Sequence, residues 1–275
     1  MARNFNQWQR KVINNGGAVL HIPVLSDQSK IPAMDSFDPY AESVNAAFPV
    51  GSIVYEGEDV YAYCKNGSVA LNIAAPIQGA ARAHAEQDDD IVVAAIAAIG
   101  ATAVSLTSTA NLDTAPNDED NDFAGGWLYV NDEAGQGQMY RIKSNGGFSG
   151  TANSTFTLYD PLTIALSVAS QVGLVRNKYY RTLVTPAPLT APFAGFPLIA
   201  VTASYYFWSK IKGPVPAIAN AAITLGQVCA VGITAAKVNP MAVSSTYGIT
   251  ADTRPIGTAW TPGVADTEEF ILDLW

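Results

Sequence analysis

The chain has 275 residues, of which 49% are hydrophobic and only 14% charged; this length suggests about two domains with real cores, and a charge content below the roughly 25% of an ordinary soluble domain describes a weakly charged surface, either covered by neighbours or carried by a secreted monomer. A net charge of −9 and a pI near 4.6 repel phosphate backbones and leave nucleic-acid binding without an electrostatic basis. The longest apolar run, Ile91 to Ala98, is far shorter than the about twenty residues of a membrane helix, and the first ten residues lack the apolar stretch of a secretory signal.

In chain order, residues 1–49 read as an irregular arm that becomes ordered against a partner surface. Asn14-Asn15-Gly16-Gly17 signals a turn, Ala18 to Leu25 suits one short strand, and Pro32, Pro39 and Pro49 punctuate the remainder. The arm is basic, with Arg3, Arg10, Lys11 and Lys30 against Asp27. From Val50 the pattern turns β-like: Gly51 to Tyr55, a turn at Glu56-Gly57-Glu58, then Val60 to Cys64. Asn66-Gly67 between two alternating runs predicts a tight hairpin with Val69 to Ile73 as the returning strand.

Gly79 to Gly100 is ambiguous. Ala80, Ala81, Ala83 and Ala85 favour helix, and Asp88, Asp89 and Asp90 suit its first turn. Ile91 to Ile99 fits either a short buried helix or a strand. Ala103 to Thr109 is a further strand, followed by a polar acidic loop from Asn111 to Asp122. Trp127 to Val130, Met139 to Lys143 and Thr155 to Tyr159 follow, separated by Asn- and Gly-rich turns. Strands at intervals of about 8–12 residues predict a sandwich or barrel.

Pro186, Pro188, Pro192 and Pro197 mark a domain boundary, since proline stiffens a linker and is excluded from central strands. Beyond it come Leu198 to Val201, the aromatic run Ser204 to Ile211, a turn at Gly213-Pro214, then Ile223 to Leu225, Gln227 to Ile233 and Pro255 to Trp260. Phe270 to Trp275 alternates well and would close a small barrel. The expected fold is all-β and mainly antiparallel. It comprises a β-rich barrel or sandwich domain at 50–185, a small C-terminal β-barrel at 198–275, the arm 1–49, and at most one or two short helices. No strict internal repeat is found, although the two halves look alike in style.

Reactive chemistry is sparse. His21 and His84 have no Cys, His, Asp or Glu at ligand spacing, against the four close ligands zinc wants. There is no Gly-x-Ser-x-Gly elbow and no P-loop or dinucleotide fingerprint; Gly135-Gln-Gly137 reads as a hairpin turn. The acidic loop 113–122 offers hard oxygen ligands for calcium but lacks the Gly and Glu positions of an EF-hand, so a solvated loop is preferred. Asp88, Asp89 and Asp90 are adjacent and do not flank a substrate as glycosidase carboxylates do. Trp127, Tyr129, Tyr140, Tyr205, Tyr206, Phe207 and Trp208 suit core or subunit interface over a sugar platform. Cys64 and Cys229 read as two buried free thiols. No catalytic, cofactor-binding or metal residue is assigned, and no cofactor is expected. From Ala83 to Gln138 there is no Lys or Arg, while eleven Asp and Glu fall there.

The block Gly125-Gly-Trp-Leu-Tyr-Val-Asn-Asp-Glu-Ala-Gly-Gln-Gly-Gln-Met-Tyr-Arg-Ile-Lys-Ser-Asn145 resembles structural proteins encoded in the capsid modules of tailed phages, marine podovirus-like ones especially. Tyr63-Cys-Lys-Asn-Gly67, Ile99-Gly-Ala-Thr102, Leu158-Tyr-Asp-Pro-Leu162 and Asn177-Lys-Tyr179 share the likeness, as do Tyr205 to Trp208, Gly213, Gly226-Gln-Val228 and Ile256-Gly257. The resemblance spans residues 50–275. It implies a non-enzymatic virion decoration (cement) protein, made in the host cytoplasm and bound to the major capsid protein on the outer capsid surface at capsomer junctions, as a homotrimer. A head-fibre, tail or receptor-binding protein contacting host glycans is the alternative.

Overall fold

The structure is a computed structural model that describes residues 11–15, 18–22, 37–89, 91–110, 112, 120–148, 152–241, 254–264 and 269–274. It is nearly all antiparallel β, as the turn spacing predicts. The first strands are β1 (Lys11–Asn15), β2 (Ala18–Ile22), β3 (Glu42–Ser43), β4 (Ile53–Glu56), β5 (Asp59–Lys65) and β6 (Ile77–Gln78). A four-residue helix, α1 (Glu86–Asp89), precedes β7 (Ile91–Val93), β8 (Ala103–Thr107), β9 (Trp127–Asp132), β10 (Met139–Asn145), β11 (Ser154–Leu158) and β12 (Gln171–Val175). The chain then continues through β13 (Leu183–Val184), β14 (Phe193–Pro197), β15 (Tyr206–Ile218), β16 (Val228–Val231), β17 (Asn239–Pro240), β18 (Arg254–Ala259) and β19 (Glu269–Leu274).

Among the described residues the chain divides into two compact units: Ala81–Asn177, and a second unit that combines 11–80 with 178–274. The division therefore falls away from the proline-rich segment and differs from the expected 1–49, 50–185 and 198–275. Two facts explain the difference. β5 pairs along its length with β15, from Lys65↔Tyr206 to Val60↔Lys212, which draws residues 50–80 to the C-terminal part. β14 is buried at all five positions and is hydrogen-bonded to β6 and β15, so Pro197 ends a core strand and the segment is no linker. Gly79 lies against the Lys178 backbone, so the chain leaves and re-enters the second unit at one place.

The continuous unit is a closed six-stranded barrel in the order β10-β11-β8-β7-β12-β9. Its strands alternate as a barrel wall must, one side chain in and the next out. In β9, Leu128 and Val130 point inward while Trp127 and Tyr129 point outward; in β11, Phe156 and Leu158 fill the interior. Phe123, Phe148, Ile142 and Leu174 complete a core in which each is fully buried.

The second unit is a 13-stranded sheet with the main path β1-β2-β4-β5-β15-β19-β18-β16-β17. Its centre is an aromatic cluster in which Trp208 packs 4.9 Å from Tyr63, 5.1 Å from Phe48 and 5.0 Å from Phe37. Part of the expected arm belongs here. β1 and β2 pair antiparallel in the register Lys11↔Ile22 to Asn15↔Ala18, and β2 pairs onto β4. Alternate residues Leu20 and Ile22 are buried, which anchors this segment to the core.

Two local expectations are corrected. Val69 to Ile73 does not return as a hairpin strand; the β4–β5 hairpin closes at Glu56↔Asp59 instead. The Asn66 side chain donates to the carbonyls of Val69 and Thr202, which diverts the chain toward a distant loop. Gly213-Pro214 does not turn. At φ +91° Gly213 lets the 13-residue β15 run on while it changes partner, from β5 through Lys212 to β19 from Gly213↔Leu274 onward. A side chain there would sit 2.3 Å from Asp59 Oδ1, and that carboxylate is held 2.8 Å from the Lys210 ammonium.

Gly213→Ala therefore combines a disfavoured backbone with a clash against a paired carboxylate, and it is expected to lower stability by about 2–4 kcal/mol. Gly57→Ala, at φ +62° with open space around it, is expected to cost about 1–2 kcal/mol from the backbone alone. Chemical denaturation of both variants checks the ranking.

Candidate functional site

Among the described residues, three pairs of loops share one design. Each loop is an arch that leaves one strand, touches a partner arch at a single residue, turns, and enters the next strand. The touching pairs are Ala97 with Leu166 in the barrel, and Leu71 with Val201 and Ile223 with Gly263 in the second unit. Each pair exchanges two backbone hydrogen bonds, N–H to O both ways, at 2.9 and 3.0 Å. Three residues past the touching point, Ala74, Gly100, Ser204 and Gly226 all adopt positive φ. Their N–H groups donate to the carbonyl four residues before the touching point on the opposite arch: Ala74 to Pro197 at 3.4 Å, Gly100 to Leu162 at 2.8 Å, Ser204 to Gly67 at 2.7 Å and Gly226 to Ala259 at 2.8 Å.

The strand pairing repeats with the arches. In every case the strand before one arch pairs with the strand after the other: β7 with β12 and β11 with β8; β5 with β15 and β14 with β6; β15 with β19 and β18 with β16. The chain thus builds one two-arch module three times. The long β15 serves two of them at once, following one arch and leading into the next.

The sequence carries the signature once the register is known. Val69-Ala-Leu-Asn-Ile-Ala74, Ile164-Ala-Leu-Ser-Val-Ala169, Ile199-Ala-Val-Thr-Ala-Ser204 and Ala221-Ala-Ile-Thr-Leu-Gly226 align with the touching residue third. By sequence alone Val69 to Ile73, Leu198 to Val201 and Ile223 to Leu225 read as strands, because their aliphatic content imitates a short strand. The touching side chains Leu71, Ala97, Leu166, Val201 and Ile223 are buried. Two positions on, the aliphatic side chain faces water: Ile73 is 44% exposed, Ile99 64%, Val168 55% and Leu225 71%. No Asp, Glu, Lys or Arg occurs in 67–76, 94–102, 163–170, 198–205, 220–227 or 260–264, and the carboxylates of the same connections, Asp160, Asp266 and Glu268, fall outside these stretches. Turn tips ordinarily carry polar residues, so a repeated exposed aliphatic at one turn position is a feature to be accounted for by contact with another surface.

No family model, curated protein or solved structure matches this chain. The site is therefore read from its own chemistry.

The residues weighed for reactive chemistry stay apart. His21 is exposed, edge-on to Tyr55 at 5.2 Å. His84 is exposed and its Nδ1 accepts the Glu86 N–H. No group of three metal-ligating side chains occurs among the described residues. Asp88 pairs with Arg82 and lies in α1 with Asp89, while Asp90 and 113–119 of the acidic loop lie outside the described residues. Of the aromatics, Phe207, Trp208 and Tyr140 are buried, and Tyr205 and Tyr206 are half-buried. Trp127 remains on the outer barrel face beside the Arg141 guanidinium, 5.6 Å from its ring centroid.

The buried polar groups hold the barrel together where its two ends meet. Arg176, near the exit, is paired with Asp122 at 2.8 Å and donates to the Ala81 carbonyl at the entry, to Gln87 Oε1 on α1 and to the Leu112 carbonyl. Its guanidinium also covers the Phe123 ring at 4.5 Å. Burial alone would raise the Glu86 carboxyl, but the Thr109 N–H and hydroxyl both donate to it and hold it below its ordinary value. Cys64 and Cys229 are free thiols, both buried. Burial pushes Cys64 far up and Cys229 from 9.0 up to about 11.

Removing one partner of the inner ion pair leaves a buried charge alone. Asp122→Ala is expected to destabilise the barrel by about 3–5 kcal/mol, read from denaturant unfolding with Trp127 as the local reporter. The thiols stay protonated in the fold while an unfolded chain ionises, so stability falls as pH rises from 9.0 to about 11. Thiol labelling at neutral pH is expected to be complete only in denaturant.

Proposed function

We propose that this chain is a non-enzymatic structural protein of a tailed-phage head, a decoration (cement) protein that binds the major capsid protein on the outer capsid surface at capsomer junctions, as a homotrimer. One observation carries this reading beyond the resemblance: a single β-module is built three times in one chain, and each copy carries aliphatic side chains in water beside the touching residues of its arches. Apolar burial is non-directional and independent of counter-charges. A protein that clamps neighbouring subunits needs several such contacts in one rigid chain, because linked contacts multiply through effective concentration.

The rigid modules suit the load. A shell under internal pressure pulls on its clamps, and β-modules closed by reciprocal backbone bonds resist extension better than arms tied by surface ion pairs, which contribute about 0–1 kcal/mol each. The net charge of −9 works against adventitious attachment to packaged or free nucleic acid. The alternative, a head-fibre or receptor-binding role, is favoured by one feature, the partly exposed Trp127 on the outer barrel face. Aromatic rings flanked by a cation are common at contact sites of many kinds.

Purified protein mixed with capsids that lack it is expected to add discrete external density at capsomer junctions in electron micrographs and to raise the temperature at which the shells open. Bare shells after mixing overturn the decoration reading. Binding on a glycan array that is lost in Trp127→Ala would put the receptor-binding reading in its place.

A further inference from the structure

We propose that Lys178 and Arg254 form an oxyanion site in the second unit, one that takes a phosphate or sulfate group. The strands around it bring the two cations together. Arg254, the first residue of β18, lies over the Phe193 ring, 6.0 Å from its centroid. Phe193 pairs with Gln78 on β6, and the next residue, Gly79, packs against the Lys178 backbone. The Lys178 ammonium lies 4.6 Å from the centroid of the Tyr179 ring. Both cations are exposed, and among the described residues neither has a carboxylate partner. The inference goes beyond the proposed function and does not rest on it.

The nearby strands turn their acids away from this place. β4 and β5 pair with Glu56 opposite Asp59 and Tyr55 opposite Val60, and successive side chains of a strand point to opposite faces. Glu56 and Asp59 therefore share the face of Tyr61, whose phenol is pushed up by burial first and then by both carboxylates. Tyr55 belongs to the other face, with Cys64, and acts on Tyr179 from there. The charged and titratable groups that act on the Lys178 ammonium are the Arg254 guanidinium and the Cys64 thiol. Partial burial first, and Arg254 second, hold that ammonium below its ordinary value. Two like charges held close without a counter-charge repel, and an anion between them attracts both. The donors select the anion. A guanidinium presents a planar fork and an ammonium a point charge with three donors, and here they come from separate elements. Phosphate and sulfate have acceptor oxygens for both, whereas the two oxygens of a carboxylate are satisfied by the fork alone.

The test titrates inorganic phosphate, inorganic sulfate and acetate into the full-length protein by calorimetry, at an ionic strength fixed with chloride so that screening is constant. Lys178→Gln and Arg254→Gln are compared with the wild type after circular dichroism confirms that they are folded. Phosphate and sulfate are expected to bind the wild type saturably, and each variant at least about tenfold more weakly. Acetate is expected to bind more weakly than either. If a glutamine variant loses its fold, Arg254→Lys, which keeps the charge without the fork, is expected to weaken binding in the same direction. A second readout is the titration of the Lys178 ammonium by nuclear magnetic resonance. It is expected to move up when phosphate is added to the wild type, and to lie higher in Arg254→Gln without phosphate. Glucose 6-phosphate and glucose 6-sulfate distinguish an ester from the free ion: tighter binding than the inorganic anion assigns the site to esters, and equal binding assigns it to the ion. A wild type that binds neither phosphate nor sulfate, folded variants that bind as the wild type does, acetate bound as tightly as phosphate, or a Lys178 titration unmoved by phosphate each overturn the inference.

Discussion

Everything in this fold depends on a pair of backbone hydrogen bonds exchanged between two arches. At Ala97–Leu166, Leu71–Val201 and Ile223–Gly263 the N–H and carbonyl of one residue are both spent on one partner. A loop that crosses a barrel end buries polar backbone, and each such group must find a partner. Two arches that satisfy one another solve the problem for both. Once they are locked, the strand before each arch has no choice but to run beside the strand after the other. The same pairing scheme then appears in the closed barrel and twice in the large sheet, although the side chains inside differ.

The junction between two modules follows from the same constraint. β15 must finish one arch pair and begin the next, so it is long and must change neighbours midway. Gly213, with φ at +91° and no side chain to meet Asp59, allows that change. Pro214 and Pro216 fall in the half that pairs with β19. A ladder partner on one side uses only alternate N–H groups, so residues without one are tolerated there. The proline content that imitates a break in the sequence is thus compatible with a continuous strand.

Charge is partitioned against this scaffold. Carboxylates crowd the barrel sequence, and the residues flanking each touching point have none. Inside the barrel a deeply buried ion pair, Arg176 with Asp122, is spent on closing the insert where its ends meet, with Ala81, Gln87 and Leu112 sharing the guanidinium. Exposed aliphatic side chains recur at one position of the arches, which is why contact between proteins is the reading that this geometry favours.

How much of this was legible without coordinates depends on the range over which each signal acts. Alternation of apolar and polar residues is local, so the all-β class, most barrel strands from Ala103 to Tyr159 and the terminal strand Phe270 to Leu274 could be read directly, as could the turn at Glu56-Gly57. The low charge content of the whole chain is also visible, as a bias in composition. What only the tertiary structure decided is which loops meet. Asn66-Gly67 has the residues of a tight hairpin, yet the partners of its neighbours, Val201 and Thr202, are far away in sequence. The six-residue arch signature is aliphatic and short, so by itself it cannot be told from a strand; it becomes a repeat only when the touching residues are aligned. The division into units is hidden for the same reason, because strand pairing between β5 and β15 is a long-range backbone contact that leaves no mark on the local order of side chains.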